Sequence, residues 1–146
     1  MELSIIFLPL IASIISGFFG KYIGDRNSEI VTSVLVSISA LLSIFVLYQV
    51  IVNQYEENIV IATWISSGSL DVNWSMLIDP LSAVMLVVVT SVSALVHIYS
   101  IGYMSHDPHK PRFMAYLSLF TFAMLMLVTS DNLIQLFFGW EGVGLC

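Results

Sequence analysis

Long apolar stretches alternate with short polar segments along the whole chain. Several of these stretches approach or exceed the roughly 18 residues that an α-helix needs to cross a bilayer. We therefore predict four membrane-spanning helices, at residues 3–20, 30–52, 79–104 and 113–130. Polar loops are expected at residues 21–29 and 105–112.

Helix start signals precede the third helix and a short fifth one. Asp79 is a good N-cap residue and Pro80 suits the first helical position, so the third helix opens there. Asp131 and Asn132 offer another N-cap, and a fifth helix should begin after them. That helix is cut off at Cys146, where the sequence stops.

The segment at residues 53–79 is too polar to span a membrane. Residues 59–65 are rich in β-branched and aromatic side chains, and residues 70–76 alternate between apolar and polar. Between them lies a short polar stretch, residues 66–69, which contains Gly68. This pattern predicts a β-hairpin with a glycine-containing turn.

The composition agrees with a chain that has the bilayer as its solvent. Hydrophobic residues make up 58% and charged residues only 10%, whereas a soluble domain carries about 25% charged residues. The formal net charge of −6 argues against nucleic acid as a partner and against docking onto anionic lipid. The single cysteine excludes an internal disulfide and a cysteine-rich metal site.

The four basic residues predict the orientation. Lys21 and Arg26 follow the first helix, and Lys110 and Arg112 follow the third, whereas residues 53–80 hold carboxylates and no Lys or Arg. Because basic loops stay on the cytoplasmic or matrix side, both of these loops should be inside. The N-terminus and the hairpin should then be outside, and the fifth helix should enter the membrane from that side.

Glu141 is the candidate functional residue, because it is a carboxylate within an apolar run. A charge near the bilayer centre costs roughly 3 kcal/mol or more, and chains that tolerate one usually gain a function from it. Glu141 lies about ten residues past the cap of its helix, or about 15 Å, which is half of a hydrocarbon core. Its helical neighbours have no side-chain hydrogen-bonding groups: Phe137, Phe138, Gly144 and Leu145.

Burial in such surroundings favours the neutral acid, so Glu141 could take up and release a proton as a nearby cation comes and goes. The alternative is a protonated glutamate that only holds helices together. The flanking glycines, residues 139, 142 and 144, are expected to serve packing.

No basic residue of the chain is expected to reach Glu141. His97 is the only candidate at depth, but it lies about 27 Å along the third helix from Asp79, near the inner face. We expect it to be an interhelical hydrogen-bond donor or, alternatively, a helper in a proton relay. His106, Asp107 and His109 could chelate a metal, but a solvated loop is the preferred interpretation, and we predict no metal site.

Residues 133–146 resemble the signature of the L subunit of proton-pumping NADH:quinone oxidoreductase, respiratory complex I. Five shorter segments also resemble this family: residues 79–82, 97–100, 103–104, 112–113 and 131–133. The apolar stretches, the hairpin pattern and the basic loops together predict an all-α multi-pass membrane protein with four spanning helices, the start of a fifth and an outer hairpin. The resemblance implies how this chain is divided. Residues 1–130 would be the N-terminal helices and hairpin, and residues 131–146 the truncated start of the proton-translocating repeat. We therefore expect an N-terminal fragment.

The resemblance also implies a role for Glu141, as an essential proton-channel residue that pairs with a lysine on a later helix. The enzyme would be the whole complex, and this subunit would hold no redox centre, because FMN, iron–sulfur clusters and quinone lie in other subunits. The expected partners are other membrane subunits of complex I and the lipid bilayer. The expected location is a bacterial inner membrane, with the mitochondrial inner membrane as the alternative.

Two other functions stay open at this point. The first is a subunit of an Mrp-type cation/proton antiporter, which would use the same carboxylate without electron transfer. The second is a non-catalytic membrane assembly subunit, in which the glutamate would only hold helices together.

Overall fold

The computed structural model describes residues 1–54, 56–68 and 70–146. Among these residues, four helices are long and apolar enough to cross a membrane, and a shorter apolar helix follows them. The elements, in chain order, are α1 (Glu2–Ile23), α2 (Asp25–Asn53), β1 (Glu57–Ser67), β2 (Leu70–Ile78), α3 (Pro80–Tyr103), α4 (Lys110–Val128) and α5 (Leu133–Leu145). The predicted all-α multi-pass architecture with a small hairpin is confirmed.

The first four helices form an antiparallel bundle, and the fifth packs on its outside. Helix α1 contacts α2 and α4, helix α2 contacts α3, and helix α5 packs against α4. Consecutive helices run in opposite directions, so the α1–α2 and α3–α4 junctions lie at one end of the bundle. We call this the basic end, defined as residues 20–29 and 104–112. The hairpin and the α4–α5 junction lie at the other end, the hairpin end.

The predicted loop at residues 21–29 is wrong. Helix α1 continues to Ile23 and helix α2 begins at Asp25, so only Gly24 separates them. Gly24 has a φ of 87°, a conformation that glycine adopts at little cost, and this permits the abrupt reversal. The second basic loop is also shorter than predicted, because α4 begins at Lys110. The polar residues at this end belong to helix ends that extend beyond the apolar part of the bundle. Their polarity therefore does not indicate a non-helical backbone.

The predicted hairpin is confirmed, with longer strands than expected. Strands β1 and β2 pair antiparallel from Glu57 opposite Ile78 to Ser67 opposite Leu70. Gly68 in the turn has a φ of 62°, which explains the glycine there. Ser69, also within the predicted turn, lies outside the described residues.

The main apolar core lies at the hairpin end, where β2 closes the bundle. Its buried side chains come from α1, α2, β2, α3 and α4: Ile5, Ile6, Val46, Val50, Met76, Ile78, Ala83, Leu86, Leu125 and Met126. The predicted cap at Asp79 is confirmed next to this core. Its Oδ1 accepts from the Ser82 backbone N–H at 2.6 Å, and the Ser82 hydroxyl accepts from the Asp79 N–H at 2.9 Å. This reciprocal pair fixes where α3 begins after the hairpin.

Candidate functional site

Strand β2 holds the start of α5 in place. The side chain of Gln135 is buried, and it bonds the backbone of Ser75 as another strand would. Its Oε1 accepts from the Ser75 N–H at 3.0 Å, and its Nε2 donates to the Ser75 carbonyl at 2.7 Å. Asn132 caps α5 by accepting from the Gln135 N–H at 2.9 Å, and its own amide donates to the Asn73 carbonyl at 2.8 Å. The direction of α5 is therefore set by the hairpin.

Asn132, and not Asp131, is the N-cap of α5. Asp131 instead accepts hydrogen bonds from the Asn58 amide at 2.8 Å and the Ser75 hydroxyl at 3.0 Å. Helix α5 begins at Leu133, as predicted. The carboxylate joins both strands of the hairpin to the α4–α5 junction.

Two of the three glycines near Glu141 allow close contact between α5 and α4. A Cβ at Gly139 would lie 2.8 Å from the backbone N and Cα of Leu127. A Cβ at Gly142 would lie 3.0 Å from the Cβ of Ala123, whereas one at Gly144 would meet no described atom within 4 Å. The packing role predicted for glycine is confirmed at positions 139 and 142.

Glu141 lies on the side of α5 that faces away from α4. At about 100° per residue, it is rotated roughly 130° from the face formed by Gln135, Gly139 and Gly142. It is exposed in the described chain. The large apolar side chains on the same open side are also exposed, with Phe137 at 61% and Leu145 at 83%. The carboxylate therefore lies in an open apolar strip.

The depth of Glu141 follows from the contact of its neighbour Gly142 with Ala123 on α4. Helix α4 runs from Lys110 to Val128, so its midpoint is Leu119. Ala123 is four residues from that midpoint, or about 6 Å toward the hairpin end. Glu141 therefore lies within the span of α4, displaced from its centre toward the hairpin.

Three aromatic rings support α5 beside this strip. The ring of Phe138 lies edge-on to Trp74 at a centroid distance of 4.9 Å and to Trp64 at 6.1 Å. The two tryptophans are 4.9 Å apart. Such pairs contribute about 0.5–1.5 kcal/mol each beyond the area they bury. They hold the face of α5 that adjoins Glu141 against the hairpin.

No described cation forms an ion pair with Glu141. The ion pairs within the described ranges join the N-terminal amine to Glu2 at 3.0 Å and Lys110 to Glu29 at 3.9 Å. Glu29, predicted to lie in a loop, lies in α2 with only 6% of its side chain exposed. Lys110 is thus engaged at the basic end, far from the level of Glu141.

His97 is fully buried between α3 and α4. Its Nδ1 lies 2.8 Å from the carbonyl oxygen of Ser93, and its Nε2 lies 3.0 Å from the hydroxyl of Ser118. A carbonyl can only accept, so Nδ1 carries the proton in the neutral ring, and Nε2 accepts from Ser118. The structure thus gives His97 an interhelical hydrogen bond, which it makes as acceptor.

Two further polar contacts, which were not predicted from the sequence, involve residues on the same face of α3 as His97. The Ser43 hydroxyl on α2 bonds Thr90 on α3 at 2.8 Å. The Ser93 hydroxyl bonds Thr121 on α4 at 2.5 Å. Thr90, Ser93 and His97 are spaced three and four residues apart, so they share one face of α3. This spacing of polar residues along one face of a mainly apolar helix could have indicated the interhelical contacts from the sequence.

The loop with His106 and His109 shows a local turn contact. Asp107 Oδ1 accepts from the His109 backbone N–H at 2.6 Å. Within the described part of the chain, no group of three metal-ligating side chains is close enough to hold a metal ion.

The sequence is similar to those of known subunits of complex I. A family model described as NADH-Ubiquinone oxidoreductase (complex I), chain 5 N-terminus, matches residues 64–114. Proteins named NADH-ubiquinone oxidoreductase chain 5 are 56% identical in Arabidopsis thaliana over 145 residues and 51% identical in Trichophyton rubrum over 146 residues. The resemblance to the antiporter-like subunit of complex I is confirmed.

The similarity to chain 5 covers almost all of this chain but a small part of its relatives. The Phytophthora infestans protein of that name is 53% identical over 144 residues, which is 99% of this chain. The chain spans about 22% of the length of each of these three relatives. The family match at residues 64–114 includes His97 and ends before Glu141, whereas the chain 5 alignments extend over nearly the whole sequence.

Proposed function

We propose that the chain is part of a membrane subunit of proton-pumping NADH:ubiquinone oxidoreductase. In this role it takes part in proton translocation coupled to electron transfer from NADH to ubiquinone. The observation that carries the proposal is the Glu141 carboxylate, held at depth on the open apolar side of α5. The name shared by the relatives, NADH-ubiquinone oxidoreductase chain 5, supports the same complex.

Glu141 is the proton-channel acid in this proposal. In apolar surroundings the neutral acid is favoured, and an approaching cation favours the carboxylate. A cation that moves toward and away from Glu141 would therefore make it release and take up a proton. The cation is a lysine on a later helix, which would lie against the open strip of α5. Residues 131–146 then form the start of the proton-translocating repeat, and residues 1–130 form the helices and hairpin before it.

His97 is a helper in the proposed pathway. Ser118 donates to its Nε2, so the hydroxyl can pass its proton to the imidazole along this bond while its oxygen accepts another proton. Ser118 and Ala123 are five residues apart on α4, which is about 7 Å along the helix axis. His97 therefore contacts α4 about 9 Å closer to the basic end than Glu141 lies, and on another side of the helix.

The reaction belongs to the whole complex. This subunit holds no redox centre in our proposal, and FMN, iron–sulfur clusters and quinone are bound by other subunits. Its partners are the other membrane subunits and the lipid bilayer, and its N-terminus and hairpin face outward, as the basic residues indicate. The relatives compared come from a plant, an oomycete and a fungus, which favours the mitochondrial inner membrane over a bacterial one.

The direct test is Glu141→Gln in the full-length chain of an assembled complex. The amide keeps the size of the side chain but cannot ionise, so proton pumping should fall strongly while the complex still assembles. Glu56→Gln is the matched control, because it makes the same chemical change at an exposed position before β1. That variant should pump like the wild type.

Other outcomes separate the alternatives. Wild-type pumping by a correctly assembled Glu141→Gln complex would defeat the proposed role. Retained turnover and pumping after Glu141→Ala would favour a non-catalytic assembly subunit. Exchange of Na⁺ or K⁺ for protons without NADH, lost in Glu141→Gln, would favour the antiporter.

A further inference from the structure

An open groove lies between α1 and α4 at the basic end of the bundle. Its volume is about 720 Å³, within the roughly 300–1,000 Å³ of typical ligand sites. Lys21, His109 and Arg112 line the part nearest the helix ends, and Leu10 and Leu119 line the part furthest from them. The groove therefore has a basic portion and an apolar portion.

The basic portion holds more positive than negative charge, because Lys21 and Arg112 line it together with a single carboxylate. Neither Lys21 nor Arg112 forms an ion pair with any described residue. Arg112 lies in the first turn of α4, which has no acidic residue and no side-chain cap, so the positive end of the helix dipole adds to its charge. The guanidinium lies 5.8 Å from the centre of the Tyr116 ring. Asp25 is the one carboxylate among the groove's described lining residues.

The net charge of −6 conceals this local excess. All four cations lie at the basic end, together with Asp25, Glu29 and Asp107. The remaining carboxylates lie elsewhere along the chain. The expectation that the acidic balance disfavours anionic lipid therefore applies to the hairpin end and not to this groove.

The apolar portion has the dimensions of one lipid leaflet. From Lys21 to Leu10, α1 extends about 16 Å, close to half of a 30 Å hydrocarbon core. Phe18 is 78% exposed and Tyr116 is 46% exposed, so both rings present apolar surface along the groove. A Cβ at Gly17 would lie 3.5 Å from the Cβ of Ala115, which shows that α1 and α4 meet closely beneath it.

We propose that this groove binds one anionic phospholipid. Its phosphate lies between Lys21 and Arg112, and an acyl chain lies along the apolar portion between α1 and α4. Basic pockets between membrane helices on the cytoplasmic or matrix side bind such headgroups. The proposal concerns a different face from that of Glu141 and does not depend on its role.

The test is photo-crosslinking in the assembled complex containing the full-length chain. The probes are phosphatidylglycerol and phosphatidylcholine, each with a photoreactive acyl chain, and the labelled peptides are mapped. Phosphatidylglycerol should label α1 and α4 more than phosphatidylcholine does. Arg112→Gln should reduce that labelling about fivefold, the weight of one basic residue at an anionic lipid surface.

Arg26→Gln is the matched control, because Arg26 is exposed at the same end but does not line the groove. It should leave the labelling unchanged. If Arg112→Gln prevents assembly, Lys21→Gln replaces it, because Lys21 is exposed. Equal labelling by both lipids would overturn the proposal, as would no labelling, which would show that protein covers the groove. Displacement of the probe by inorganic phosphate alone would show a simple anion site and would also overturn it.

Discussion

A single methyl group added at Gly139 tests whether the α4–α5 contact positions Glu141. The new Cβ would lie 2.8 Å from Leu127 N, Cα and Cβ, whereas carbon atoms attract best at about 3.5–4.0 Å. The Leu127 backbone cannot rotate away as a flexible side chain could. Helix α5 must therefore move from α4 by up to about 1 Å, and Glu141 must move with it.

Two opposing effects determine the stability of the Gly139→Ala variant. Overpacking costs about 1–3 kcal/mol, while replacing glycine by alanine within a helix contributes up to about 1 kcal/mol of stability. Gly144→Ala is the matched control, because a Cβ there meets no described atom within 4 Å. Only the gain in helix stability applies to Gly144→Ala. The free energies of unfolding of the two variants should therefore differ by about 1–3 kcal/mol.

The assay uses assembled complexes that contain the full-length chain. Heat resistance of the complex should be lower for Gly139→Ala than for Gly144→Ala. The pumping rate should also fall in Gly139→Ala, because a displacement of about 1 Å can slow a positioned reaction by as much as 10²-fold. Equal heat resistance and equal pumping in the two variants would refute the role given to this contact.

Three further substitutions test other contacts by heat resistance of the assembled complex. Gln135→Leu leaves the backbone N–H and carbonyl of buried Ser75 without their partners, so it should lower the free energy of unfolding by about 2–4 kcal/mol. Asp79→Ala removes the cap of α3 and should cost about 1 kcal/mol. Lys110→Met leaves the buried Glu29 unpaired, and it should cost less than the roughly 3–5 kcal/mol of a fully buried pair, because 20% of the lysine side chain is exposed.

Each of these substitutions has a contradicting result. Wild-type heat resistance of Gln135→Leu would mean that the hairpin does not hold α5. The same result for Asp79→Ala would mean that packing alone fixes the start of α3. For Lys110→Met, rescue by the added substitution Glu29→Gln is expected, and failure of that rescue would argue against the ion pair.

The fold could be predicted well because its elements depend on long apolar stretches and local caps. Asp79 followed by Pro80 determined the start of α3 through short-range hydrogen bonds. The reversal at Gly24 was missed because polarity and helix formation are separate properties. Asp25 and the residues after it are polar enough to suggest a loop, yet their backbone continues as helix once Gly24 turns the chain.

The candidate site could be predicted only in part. The apolar surroundings of Glu141 were visible within its own helix, but the face that meets α4 depends on a contact between residues distant in the chain. The pairing of Gln135 with Ser75 likewise joins positions 60 residues apart. No local pattern encodes such a contact, so the role of the hairpin in holding α5 emerged only from the structure.

In the proposed mechanism, Glu141 changes its protonation during turnover. Infrared difference spectroscopy of the assembled complex, recorded upon addition of NADH, measures this directly through the C=O stretching band of a protonated carboxyl group. We expect a carboxyl band that is present in the wild type and in Glu56→Gln and absent from Glu141→Gln. An unchanged difference spectrum in assembled Glu141→Gln would contradict it.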